Sequence, residues 1–207
     1  MVALLLTGAA IAQKSSGIRY GIKAGINFAN ISLSGSAVED EDKDHLKSWT
    51  SFQIGGLVDI PVGTSFSIQP GLTLTGKGNK TEYEDSGDEF KLRANILYLE
   101  IPVNAVIKFG GLYLGAGPYA SLALSGKNKG EMTIAGVTEK VDDDIEFGNS
   151  DDELRRTDFG VNVLGGYQLS NGLNFGANYG LGLNNLTDDD EYKAKNRVFS
   201  VTVGFRF

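Results

Sequence analysis

The chain has 207 residues, 28 of them glycine, with no cysteine and a formal net charge of −7. The length suits one domain, and the missing cysteines exclude disulfides, thiolate metal centres, cysteine nucleophiles and a lipid-anchored cysteine. The acidic balance excludes nucleic acid as a partner, because neutralising phosphates needs a basic surface.

Residues 1–12 read as a signal peptide. An apolar run beginning Val2-Ala3-Leu4-Leu5-Leu6 ends in Ala10-Ile11-Ala12, a small-x-small cleavage pattern, although no Lys or Arg precedes it. The same residues would also suit a buried first strand or helix. The run is too short to cross a bilayer as a helix, and no other run in the chain is longer. A membrane location for residues 13–207 therefore requires strands.

From Ile18 the dominant signal has period two. Every even position from Ile18 to Phe28 is apolar and every odd one is Gly or polar, which a strand places on two separate faces. The alternation returns over Phe52–Val62, Phe66–Leu74, Leu97–Phe109, Leu112–Leu124, Phe159–Leu169, Leu173–Leu183 and Phe199–Phe207, giving eight strands. Short turns are expected at Pro61–Thr64, Gly110–Gly111 and Ser170–Gly172, all rich in turn formers. Long loops are expected at 34–50, 78–90, 127–157 and 185–196, and they hold most of the acid: Glu39–Asp42, Asp142–Asp144, Asp151–Glu153 and Asp188–Glu191. Strict alternation of short and long connections predicts an eight-stranded antiparallel up-and-down transmembrane β-barrel, with short turns and both termini on one side of an outer membrane.

The non-apolar face carries Arg19, Lys23, Asn27, Gln53, Asp59, Gln69, Thr73, Lys77, Glu100, Asn104, Lys108, Asn162, Gln168, Asn174, Asn178 and Arg206, interleaved with glycine. Eight strands enclose a lumen just wide enough for side chains, and small residues suit that crowding. The charges Arg19, Lys23, Lys77, Lys108 and Arg206 against Asp59, Glu100 and Asp158 are expected to pair and plug it rather than line a wide pore. Tyr20, Phe66, Phe109, Tyr167, Phe205 and Phe207 should form one aromatic girdle and Phe28, Phe52 and Phe159 the other. The last strand, ending at Phe207, looks like the signal read by the barrel assembly machinery.

Several stretches resemble the PorT-like outer-membrane β-barrel family, common in Bacteroidetes and distantly similar in architecture to OmpX and the OmpA barrel. They are Gly21–Asn27, Tyr98–Val103, Leu114–Tyr119, Asp158–Gly160 and Tyr179–Leu186, of which Leu99-Glu100-Ile101-Pro102 and Gly115-Ala116-Gly117-Pro118 are the most specific. The resemblance covers nearly all of the mature chain except the loops. It implies the barrel fold, and through PorT itself a link to secretion and gliding; most members have no assigned role.

Three chemical motifs fail on context. Gly115-Ala116-Gly117-Pro118-Tyr119-Ala120 fits a dinucleotide pattern, but alternation continues after it where a helix is needed. Pro118 is expected to cause a bulge or a lapse in pairing. Asp142, Asp144, Glu146 and Glu153 match calcium-loop positions, but Phe147 stands where the turn needs Gly. His45, the one histidine, lies near Asp42, Asp44 and Ser48 in a loop, without the fixed geometry a nucleophile and base need. No catalytic, cofactor or metal residue is assigned.

The reading is an integral outer-membrane barrel of a Gram-negative bacterium, structural, adhesive or secretion-assembly in type, and not a wide diffusion pore. Its expected partners are outer-membrane lipid and lipopolysaccharide, the barrel assembly machinery, and envelope proteins at the acidic loops. Two alternatives stay open. A soluble eight-stranded carrier of an apolar ligand would turn the even positions of Ile18–Phe28 inward, and an outer-membrane lipid-modifying enzyme would use His45.

Overall fold

A computed structural model describes residues 17–39, 45–85, 88–134, 137–148, 153–187 and 191–207. The signal peptide expected over 1–12 lies outside the described residues, as do residues 40–44, 149–152 and 188–190 of the acidic loops.

Ten strands follow in chain order: β1 (Arg19–Ser34), β2 (Leu46–Lys47), β3 (Trp49–Pro61), β4 (Phe66–Asp85), β5 (Asp88–Phe109), β6 (Leu112–Ile134), β7 (Val137–Asp144), β8 (Thr157–Gln168), β9 (Leu173–Gly182) and β10 (Lys193–Arg206). Eight of them form a closed ring. β1 pairs antiparallel with β3 on one side and with β10 on the other, as Ile26 does with Phe52 and Val201, and the path returns through β9, β8, β6, β5 and β4. β2 and β7 stand outside the ring, β2 beside the far end of β4 and β7 beside that of β6. The three short turns fall where the sequence places them; Gly110 (φ 60°) and Gly172 (φ 94°) adopt the left-handed backbone those turns need.

The expected faces are the observed ones. Ile22, Ile26, Ile101 and Val201 point outward and are half or more exposed, whereas Asn27, Asp59 and Asp158 are completely buried. This overturns the soluble-carrier alternative, which needed the even positions of β1 inside. Outside the lumen, Tyr20, Phe109 and Phe207 circle the turn end, and Phe28, Phe52, Phe159, Phe199 and Tyr179 the loop end. Phe28 and Phe199 stack at 6.2 Å. Inside, glycine makes room for the lumen's larger rings: a Cβ on Gly166 or Gly176 would sit 2.4 or 2.6 Å from the Tyr113 hydroxyl.

The extent of two expected loops needs correction. The loops expected over 78–90 and 127–157 are largely strand, since β4 and β5 run on as a long hairpin and β6 continues into a hairpin with β7. Alternation persists there, but its outward face becomes charged (Lys80, Glu82, Lys91, Arg93), so a search for apolar alternation stops short. At Pro118 the expected lapse occurs: the β5–β6 ladder skips Gly117 and Pro118 without changing register. A bulge lies instead beside Leu97 and Tyr98, where Leu124 is the extra residue. It reverses the facing of β6, so that Gly126 turns inward and is buried.

Polarity inverts along the strands near the loop-end girdle. On β1 the outward series Ile22, Ala24, Ile26, Phe28 gives way to Asn30, Ser32, Ser34, while the inward series Lys23, Gly25, Asn27 gives way to Ala29, Ile31, Leu33. β10 repeats this in reverse chain direction, from outward Val203, Val201, Phe199 to Arg197, Lys195, Lys193. An apolar exterior around a polar lumen becomes a polar exterior around an apolar plug.

Candidate functional site

Three layers stack along the barrel axis. In the lower lumen, Asp59 accepts hydrogen bonds from Lys108 and, at 3.2 Å, from Gln69, and lies 3.7 Å from Arg206. Arg206 also donates to Gln168 at 2.8 Å and sits over the Tyr113 ring. In the upper lumen, Lys77 lies 2.8 Å from both Glu100 and Asp158 and over the Tyr119 ring. Asn196 and Tyr119 donate to Asp158, and Ser121 donates to Glu100. Beside this group, the Asn27 amide donates to Thr75 and to the Gly76 carbonyl and accepts from Gln53 and Ser200, tying four strands together. The enclosed charges therefore pair and fill the lumen, as expected, with two exceptions. Arg19 is exposed at the rim where its strand begins, and Lys23 makes no ion pair at contact distance among the described residues.

The second layer is a lid. Leu33, Leu186 and Ala194 pack with Ile31, Leu46, Tyr192 and Leu154, and a second cluster of Ile96, Tyr98 and Ala123 shares Leu154 with Ile145 and Phe147. Backbone hydrogen bonds hold it down: Ala123 N to Arg156 O at 2.7 Å, Ile145 N to Gly126 O at 2.9 Å, and Arg155 N to Leu186 O at 2.8 Å. Gly126 suits this close packing, since a Cβ would lie 3.0 Å from Ile145 and Phe147 and push them back by a few tenths of an ångström. Sequence reasoning missed the lid, because it read 127–157 as one solvated acidic loop. The signal was there: Ile145, Phe147 and Leu154 are isolated apolar residues among acids.

The third layer is the open sheet β2–β4–β5–β6–β7 above the barrel. Register places Lys47 opposite Lys80, Lys80 opposite Arg93, Arg93 opposite Lys129 and Lys129 opposite Asp142. Like charges directly opposite one another are unfavourable, and acids offset part of that cost. Lys80 pairs with Glu82, Lys129 with Asp142 at 2.9 Å, and Lys127 with Asp144 at 2.7 Å. The hydrogen bond from Lys80 holds the Glu82 carboxyl below its ordinary range, that from Lys129 does so for Asp142, and Asp144 raises Lys127. Lys80, Lys91, Arg93, Lys129 and Lys140 border a shallow groove of about 350 Å³. Arg93 sits 5.0 Å over the Trp49 ring.

The structure does not assemble the candidate chemical motifs. Gly115–Ala120 is a strand segment of β6. Asp142 and Asp144 are engaged with lysines, and among the described residues no cluster of acids or histidine could hold a metal ion. His45 Nδ1 lies 3.1 Å from the Glu82 carbonyl, and its ring meets Tyr83 edge-on at 5.0 Å. Asp42 and Asp44 lie outside the described residues.

Among proteins of known structure the chain is similar in fold to Ail, the attachment invasion locus protein of Yersinia pestis. Identity is 12%, the match covers 92% of this chain and 99% of Ail, and the TM-score is 0.44. It is also similar to Neisserial surface protein A (15% identity, 90% and 95% covered, TM-score 0.40) and to the outer membrane protease OmpT of Escherichia coli (12%, 94% and 97%, 0.42). Likenesses this loose carry no inference about activity. No curated protein matches. The family described as outer membrane protein beta-barrel domain matches residues 11–188. The chain belongs to that outer-membrane β-barrel family.

Proposed function

We propose that the protein is a non-conducting, non-enzymatic barrel of a Gram-negative outer membrane whose working surface is the sheet beyond the lipid. Its role is adhesive or assembly-related contact with other envelope components. One contrast carries this reading: the lumen is plugged by a mostly paired set of charges under an apolar lid, while five strands project outward with a charged groove. A pore would invest in the first region and a docking barrel in the second.

Lipid is the first partner. The cationic row Lys80, Arg93, Lys129 stands just past the outward apolar positions of β4, β5 and β6, where long basic side chains reach headgroup phosphates such as those of lipopolysaccharide. β10, the ring-closing strand, is the contact offered to the barrel assembly machinery. A PorT-type secretion-assembly role fits the same reading and rests on the likeness of Gly21–Asn27 and Tyr98–Val103.

Photo-crosslinking residues placed at Lys91, on the sheet, and at Ile22, in the lipid belt, test the reading in intact cells. Position 91 is expected to give protein adducts and position 22 only lipid adducts. Lipid adducts alone at both, or stable ohmic conductance from the reconstituted protein, would sink the proposal. H45A is expected to leave lipid A composition unchanged.

A further inference from the structure

The lumen's charges do not sum to zero. Between the girdles its wall carries four cations, the buried Lys77 and Arg206 and the half-buried Lys23 and Lys108, against three carboxylates, Asp59, Glu100 and Asp158. The upper group, Lys77 with Glu100 and Asp158, carries one surplus negative charge. The lower group has Asp59 shared by Lys108 and Arg206, and Lys23, attracted by Glu100 of the upper group, leaves the lumen as a whole with one surplus positive charge. Among the described residues Lys23 makes no hydrogen bond and no ion pair at contact distance, and the Glu100 carboxylate attracts it only at longer range. Salt in bulk water screens a charge set inside the barrel far less than one on its surface, and an uncompensated enclosed charge is strongly unfavourable.

A cavity of about 60 Å³ lies in this lower group, with Lys23 and Arg206 in its wall. Three of the residues lining it each carry a buried polar atom with no hydrogen-bond partner among the described residues: Thr73 Oγ1, Asn104 Oδ1 and Arg206 Nε. Two are donors, and the Asn104 amide presents its NH2 after a half-turn of the side chain. The space would hold about four water molecules, or one halide-sized ion with water beside it.

We propose that this cavity binds one small monovalent anion of halide size, held by Lys23, the Arg206 Nε–H and the Thr73 hydroxyl. A single negative charge matches the surplus. Divalent oxyanions overshoot it, and gluconate exceeds the space. This site is independent of the proposed role of the outer sheet.

The test uses the folded, detergent-solubilised protein. Crystals soaked in sodium bromide are expected to show an anomalous peak beside Lys23 Nζ. The midpoint for heat conversion of the folded gel band is expected to be higher in chloride or bromide than in gluconate at equal ionic strength. At a halide concentration 100 times Kd the folded-to-unfolded ratio rises about a hundredfold. K23M is expected to lose this dependence and to match the wild type's halide behaviour without the ion. If K23M does not fold, T73V, which keeps the cation and removes one donor, is expected to weaken the halide effect severalfold. No peak together with equal midpoints would mean the cavity holds water only. A peak with no midpoint change would mark an adventitious ion only. Either result overturns the proposal.

Discussion

The same strands solve opposite problems on the two sides of the loop-end girdle. In the lipid band, apolar side chains face outward and polar groups are enclosed; four or five residues further along β1 and β10, the arrangement is reversed. Backbone pairing is continuous through the boundary, from Lys23 opposite Gly204 to Leu33 opposite Ala194. The surrounding solvent, not the sheet, therefore decides which face each side-chain type takes. In lipid, outward apolar groups cost nothing and the lumen can hold a network that satisfies its own polar atoms. In water, the hydrophobic effect returns and the enclosed face becomes a core. The inner band is held by charge pairs, the outer one by the lid.

The sharpest way to break this picture is at Lys77. K77M would leave Glu100 and Asp158 buried on either side of a neutral side chain. Removing one partner of a buried pair costs about 3–5 kcal/mol, and here two acids lose one cation. Urea unfolding in lipid vesicles is expected to show that loss. The triple variant K77M/E100Q/D158N, which removes all three charges, is expected to recover most of it. If K77M were as stable as wild type, the inner band would not be held by this network.

A second pair of variants compares the outward faces directly. Ala24 lies midway between Tyr20 and Phe28 on the lipid-facing side of β1, and Ser32 lies on the same side beyond the inversion. A24R is expected to cost about 2–4 kcal/mol, as a cation near the midplane does. S32R is expected to change stability by less than about 0.5 kcal/mol. Equal costs would mean that the inversion does not mark the edge of the lipid.

Within the lipid band the fold could be read from the sequence, because there one face is apolar and period two is unambiguous. Ile22, Ile26, Phe28 and their counterparts on seven other strands defined the ring, its turns and the outward direction. Beyond Phe28 the signal weakened for a physical reason. With water outside, the outward face is charged and the enclosed face holds spaced residues such as Leu33, Ile96 and Phe147, which look like stray apolar positions in a loop. Pairing in the lumen was foreseen as a class of interaction, but its stoichiometry was not. Arg19 sits at the rim and Lys23 stands short of contact with a described carboxylate because strand tilt and register set the height of each charge, and neither is visible in one strand's alternation. The basic row was hidden similarly: Lys80, Arg93 and Lys129 meet only through cross-strand register.

The smallest effect tests how the outer sheet is held. The Asp142 carboxyl lies below its ordinary range, first through the hydrogen bond from Lys129. A depressed folded-state value means the contribution is present above the unfolded carboxylate range and is lost as pH falls through the folded value. Lys127 is raised, chiefly by Asp144, so its contribution is lost only as pH climbs past the ordinary lysine range. β7 is thus expected to be best ordered between those limits and to loosen from β6 on acidification, while the barrel below stays intact. Amide chemical shifts of Val137–Asp144, followed against pH in wild type and D142N, read this directly. Wild type should show a transition below the normal carboxylate range that D142N lacks. The amplitude should shrink in high salt, because both side chains are well exposed and such pairs are screened. A transition that survives in D142N, or one that also disturbs the shifts of Asn27 and Ser200, would show that the outer sheet and the lipid band do not behave as separate regions.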